Sequence, residues 1–221
     1  MDLNGPIALG DETAIHAIAF ARDPQLGAIV TPNGPVAFLQ VVGLTLDEYD
    51  AVQAWDTEKL LEARLKRDPL LTTDLQRATW LEDATFAREV EEGARRDGSS
   101  EYVAFVAKVE WEVGAAARVT LGANAVRRLL LLLSQRLPFG RPFALTGERQ
   151  TVRFEPGEVA RWRVEEDAFV VSLPPTQCAS FCEGLPARRG IYQWTDLPGL
   201  AVAVVPSEIK DRDGKIIRII G

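Results

Sequence analysis

Few residues in this chain are of the types that carry chemistry. Among its 221 residues there is one histidine, His16, and two cysteines, Cys178 and Cys182. A single histidine excludes multi-histidine metal sites and leaves one candidate for a histidine-based triad. It lies in "AIHAIAF", where period-two alternation sets His16, Ile18 and Phe20 on one strand face. That is the setting of a packed structural histidine rather than of a general base. The cysteines stand four apart in "QCASFCEG", a spacing that puts both on one helical face, where free thiols pack as small hydrophobes. Two thiols without histidine partners fall short of the ligands zinc needs. Glu110 and Glu112 flank Trp111, and "VEEDAF" supplies Glu165, Glu166 and Asp167. Carboxylate pairs do acid–base work only where a cleft shifts their pKa values, and on strand edges and turns they more often stay solvated.

Gly43 and Gly122 each follow an apolar run and precede a helix, which raises the question of a phosphate site. A dinucleotide fingerprint needs three glycines in that turn, and here each turn has one, so both read as scaffold. No GxSxG elbow, HExxH helix or GxxxxGK[ST] loop is present. The expectation is a protein with no catalytic residue, no metal and no cofactor, and therefore not an enzyme.

The elements that would position these residues alternate between strand and helix patterns. After the strand at residues 14–20 comes a Pro/Gly-rich loop. "VAFLQVV", residues 36–42, then reads as a strand buried on both faces. "TLDE" at residues 45–48 is a capping box that opens the helix "TLDEYDAVQAW". Thr57 is placed to cap a second helix, which stops at Asp68-Pro69. "PLLTTDLQR" reads as a strand with its exit, and "EDATFAREVEEG" as a helix ended by Gly93. "ARRDGSSE", residues 94–101, has linker composition. Beyond it, "YVAFVAKVEWEV" reads as one strand and "ARVTLG" as its partner. "ANAVRRLLLLLSQRL" is a helix, several short strands follow, and "PPTQCASFCEGL" is a last helix. The pattern is α+β, in two mixed α/β units, each a mostly antiparallel sheet with packed helices. The boundaries are residues 1–93, a linker at 94–101, and residues 102–221.

Composition narrows the partners. Acidic residues outnumber basic ones 32 to 25, a net charge of −7, which is the wrong sign for nucleic acid. The most apolar run, residues 129–133, is too short to span a bilayer. "MDLNGPIALGDE" has neither a basic n-region nor an apolar core, so no secretory signal is expected and the cytoplasm is the default compartment.

The order and spacing of several motifs point to a family. "LNGPI", "AFARDPQLGAIVTPNGPVAFLQVVGLTLDEYDAVQAW" and "LLTTDLQR" resemble the second half of the suppressor of fused (SUFU) domain. "TLGANAV", "RLPFGRPFALTG", "TVRFEPGE" and "VVPSEIKDRDG" are similar to the C-terminal domain of its bacterial members. The resemblance covers residues 3–221. It implies a non-enzymatic protein-binding module. In animal members an extended peptide of a transcription factor lies between the two domains and pairs with strand edges. Bacterial members are associated with polymorphic toxin systems as immunity proteins, and an acidic binder suits a basic toxin domain. The alternative it implies is a cytoplasmic regulator or scaffold that binds an extended peptide. Carried over residue by residue, the partner-binding positions are Arg22 and Asp23, Leu131 on the C-domain helix, and Pro142 in "GRPF". Arg22 stands in what is an acidic pair in animal members, and Pro142 stands where they have histidine. Most N-domain contacts of the family precede "LNGPI". The resemblance therefore implies a truncated gene product, a fragment or a chain completed by another, N-terminal polypeptide in preference to a natural minimal form, with apolar surface near residues 36–42 left uncovered.

Overall fold

The computed structural model describes residues 5–6, 12–210 and 216–221. Residues 3, 4 and 7 of "LNGPI" and residues 211–214 of "VVPSEIKDRDG" lie outside the described residues. The chain forms two compact units, Met1–Ser100 and Glu101–Gly221, each with its own core. The class is α+β, as the alternation of patterns predicts.

In the first unit β1 (Gly5–Pro6), β2 (Ala17–Arg22) and β5 (Leu39–Leu44) form an antiparallel sheet in the order β1-β2-β5. A hairpin of β3 (Ala28–Thr31) and β4 (Gly34–Ala37) rises between β2 and β5. Helices α1 (Leu46–Ala54), α2 (Thr57–Leu65) and α3 (Ala84–Asp97) complete the unit. Alternation along β2 and β5 sends Ala17, Ala19, Val42 and Leu44 into a core with Trp55, Leu60, Leu61, Trp80 and Phe86. The opposite face is open: Leu39 is 63% and Val41 54% exposed, although residues 36–42 read as doubly buried. The run also breaks at Phe38. Its N–H donates to the Gly27 carbonyl and its carbonyl accepts from Asp23 N–H, so its backbone pairs with a turn and splits the run into β4 and β5.

Three further expectations change. Asp56, not Thr57, caps α2, accepting from Lys59 N–H. Residues 69–77 form turns rather than a strand, and side chains replace the ladder along β5. Thr73 Oγ1 accepts from Gly43 N–H, and Gln40 Nε2 donates to the Leu70 and Leu71 carbonyls. Helix α3 runs past Gly93 to Asp97, so residues 94–97 of the segment read as linker are helical, and Gly98 (φ 69°) ends it.

The second unit holds β6 (Val103–Phe105), β7 (Val109–Val113), β8 (Ala117–Gly122), α4 (Ala123–Arg136), β9 (Phe143–Thr146) and β10 (Thr151–Pro156). It continues with β11 (Arg161–Val164), β12 (Ala168–Leu173), α5 (Cys178–Glu183), β13 (Gly190–Gln193) and β14 (Leu200–Val205). A ribbon of β15 (Ser207–Lys210) and β16 (Ile216–Ile220) closes it. One sheet has the order β11-β12-β10-β9-β6 and the other β13-β14-β8-β7, with parallel and antiparallel pairs mixed in both. The run 102–113, read as one strand, therefore divides: β6 joins one sheet and β7 the other. Leu129, Leu132 and Leu133 of α4 are fully buried with Phe143, Phe154, Phe169 and Phe181. This burial explains why the leucines of α4 cover more than one face.

Candidate protein-binding surface

The residues with chemical potential are held as structure. His16 is half-buried just before β2, its N–H donating to the Leu44 carbonyl. Burial pushes the Cys178 thiol up to about 11 and raises Cys182 as well, so both remain protonated near neutrality and are poor nucleophiles. Glu110 and Glu112 are exposed and paired with Lys108 and Arg118. Glu165 shares Arg163 and Arg153, whose hydrogen bonds hold it below the usual carboxylate range. Among the described residues, no group of three or more His, Cys, Asp or Glu side chains is placed to hold a metal, and no helix is long and apolar enough to cross a membrane.

The two post-strand glycines are filled by the chain itself. Gly43 N–H is taken by Thr73, its carbonyl accepts from Arg77 Nη2 at 2.7 Å, and a Cβ there would lie 2.6 Å from Ile15 and Thr73 methyls. Gly122 caps α4, and the Ser207 hydroxyl accepts from Asn124 N–H at 3.1 Å. Gly43 N–H and Asn124 N–H, two donors a phosphate at these turns would use, are already occupied.

What remains available is strand edge and apolar surface. β6 is the edge strand of its sheet. It pairs in parallel with β9, Ala144 N–H donating to the Tyr102 carbonyl and Val106 N–H to the Thr146 carbonyl. Backbone groups alternate in direction along a strand, so those of Val103 and Phe105 point away from β9 toward the open edge. The Phe105 side chain is 83% exposed and Tyr102 is half-exposed beside it. An exposed aromatic on a strand with free pairing groups is an adhesive edge unless something covers it.

The carried-over positions fall on both units. Leu131 is half-buried on α4, one turn beyond Arg128, which pairs with Glu101 just before β6. Burial raises the Glu101 carboxyl above its ordinary value despite that arginine. Pro142 precedes β9, and its carbonyl accepts from Arg136 Nε at 3.0 Å. Leu131 thus sits on a helix that packs on β9, and Pro142 in the loop that leads into β9. In the first unit Arg22 ends β2 and is exposed. Asp23 is spent on local structure, its Oδ1 accepting from Gln25 and Leu26 N–H at 2.9 and 2.8 Å. The hairpin beside it exposes Ile29 and Val30, the latter 90%. The motifs did not single out Tyr102 and Phe105. Their signal was the uniformly apolar "YVAFV" start of a run that alternates only later.

The chain is similar in sequence and in fold to known proteins. Residues 1–78 match the family model described as Suppressor of fused protein (SUFU). The chain is 34% identical over 95 residues to "Suppressor of fused homolog" of Homo sapiens, and equally to that of Mus musculus. Each match covers 40% of this chain and spans 20% of the relative's length. The fold is similar to the crystal structure of Drosophila Suppressor of Fused, with a TM-score of 0.74 at 17% identity, covering 88% of this chain and 62% of that one.

Proposed function

We propose, from the match of residues 1–78 to the suppressor of fused family model, that the chain is a member of that family and a protein-binding module that does no chemistry. Its partner presents an extended segment that adds as a strand to β6. The supporting observation is the β6 edge itself, where Val103 and Phe105 direct their pairing groups outward beneath an 83% exposed phenylalanine. Leu131 on α4 and Pro142 in the loop leading into β9 belong to the same unit as this edge. The partner class that suits the chain's charge of −7 is a basic domain. On this reading the protein is a bacterial cytoplasmic immunity protein that neutralises a polymorphic toxin by binding it.

The test is co-purification with the product of the neighbouring gene, using Phe105→Pro. That change removes a donor facing the open edge but no ladder bond to β9, and proline is tolerated on edge strands. Capture of a toxin-like neighbour by the wild type, weakened at least about tenfold in Phe105→Pro, is the expected result; tenfold matches the loss of one hydrogen bond and one aromatic contact. Undiminished capture by Phe105→Pro and Leu131→Asp would show that the interface lies elsewhere.

A further inference from the structure

The second sheet of the C-terminal unit has its own edge strand, β7, and that edge is occupied by the chain itself. In the antiparallel pairing of β7 with β8, Glu110 and Glu112 turn their backbone groups toward β8, so those of Val109, Trp111 and Val113 face outward. Trp111 N–H donates to Gln150 Oε1 at 2.7 Å, and Gln150 Nε2 donates back to the Trp111 carbonyl at 3.1 Å. A side-chain carboxamide here makes the same two bonds that one residue of a neighbouring strand would make. Gln150 belongs to the turn joining β9 to β10, closed by Gly147 N–H on the Gln150 carbonyl. Gly147 lies against Val109, where a Cβ would be 3.1 Å from the Val109 carbonyl. Beside this contact an open cleft of about 650 Å³ runs between β7, β8 and the turn.

We propose that β7 is a second strand-addition site, held shut by Gln150, which takes an extended segment alternating apolar and basic side chains. It is independent of the β6 reading, because it lies on the other sheet. Gly147 closes the Val109 end, so addition would run from Trp111 toward the exposed Val113. The incoming residues that face Glu110 and Glu112 determine the preference. Those carboxylates are exposed, and their bonds to Lys108 at 2.5 Å and to Arg118 at 3.9 Å are surface pairs that contribute little. An incoming lysine or arginine replaces them without loss. Two copies of this chain pairing through β7 about Trp111 would instead set Glu110 against Glu112, like charge against like. The edge therefore rejects its own copy and accepts a basic strand.

The probes are a fluorescein-labelled Thr-Val-Lys-Val-Arg-Val peptide and its Thr-Val-Glu-Val-Glu-Val counterpart, titrated against the full chain. Gln150→Ala should bind the basic peptide about tenfold more tightly than the wild type, since two neutral hydrogen bonds no longer compete. The acidic peptide should not bind. In hydrogen exchange on the wild type, which needs no variant to fold, saturating basic peptide should slow the Trp111 amide. Equal affinity for wild type and Gln150→Ala, equal binding of the acidic peptide, an unaltered Trp111 amide, or self-association of Gln150→Ala in sedimentation would each overturn the proposal.

Discussion

At the scale of single residues, Glu48 carries more of the first unit than a capping box requires. Its carboxylate is fully buried. It accepts from Thr45 N–H at 3.0 Å, from Trp80 N–H at 2.5 Å, and from both terminal nitrogens of Arg77 at 2.6 and 2.5 Å. Arg77 in turn donates to the Gly43 and Ala78 carbonyls and lies 4.1 Å over the Trp80 ring. One ion pair thus joins the end of β5, the start of α1 and the turns that follow α2. A buried pair is not in itself strongly stabilising, but removing one partner strands the other in a poorly solvated place. Glu48→Ala should therefore cost about 3–5 kcal/mol, seen as a fall in urea midpoint with the slope unchanged. A change under about 0.5 kcal/mol, the range of an ordinary surface substitution, would show that Arg77 finds water or another acceptor. The spacing of Thr45 and Glu48 made the capping box legible in the sequence. Arg77, 29 residues on, could not be read, because nothing local selects one arginine among many as the partner.

At the scale of elements, α3 shows where local signals mislead. Gly93 and Gly98 are both plausible helix stops, and the helix passes the first and ends at the second. Gly93 is retained inside the helix for space: a Cβ there would lie 2.3 Å from the Trp55 ring. That ring cannot retreat freely, because its Nε1 donates to Asp97 at 2.9 Å, and Lys59 donates to the same oxygen. Alanine would gain about 1 kcal/mol of helix propensity and lose about 1–3 kcal/mol to overpacking. Gly93→Ala is accordingly expected to destabilise by about 1 kcal/mol net in chemical unfolding, and a gain in stability would place the ring elsewhere. The same kind of tertiary decision split residues 36–42 at Phe38 and kept residues 69–77 out of a sheet. Alternation placed β2, and apolar content or helix propensity placed β8, β12, β14 and α4, where burial agrees with the local pattern.

For the whole molecule, the restart of the strand pattern after residue 101 made two units legible, whereas the mixed sheets of the second were not. A parallel pair such as β8 with β14 joins segments some eighty residues apart, and no local feature announces its register. What the second unit contains is nevertheless enough to fold. It has a closed core around α4, and Glu101 at its first position is tied to Arg128. A chain of this size can bury a sufficient fraction of its surface alone. Residues 101–221 expressed without the first unit should unfold in one sigmoidal urea transition, with a slope of about 1–3 kcal/mol/M. A gradual, non-cooperative loss of near-ultraviolet signal would mean that the second unit depends on the first. In that event the β6 edge could not be treated as a binding surface belonging to one unit, and every strand-addition test would have to be made on the full chain.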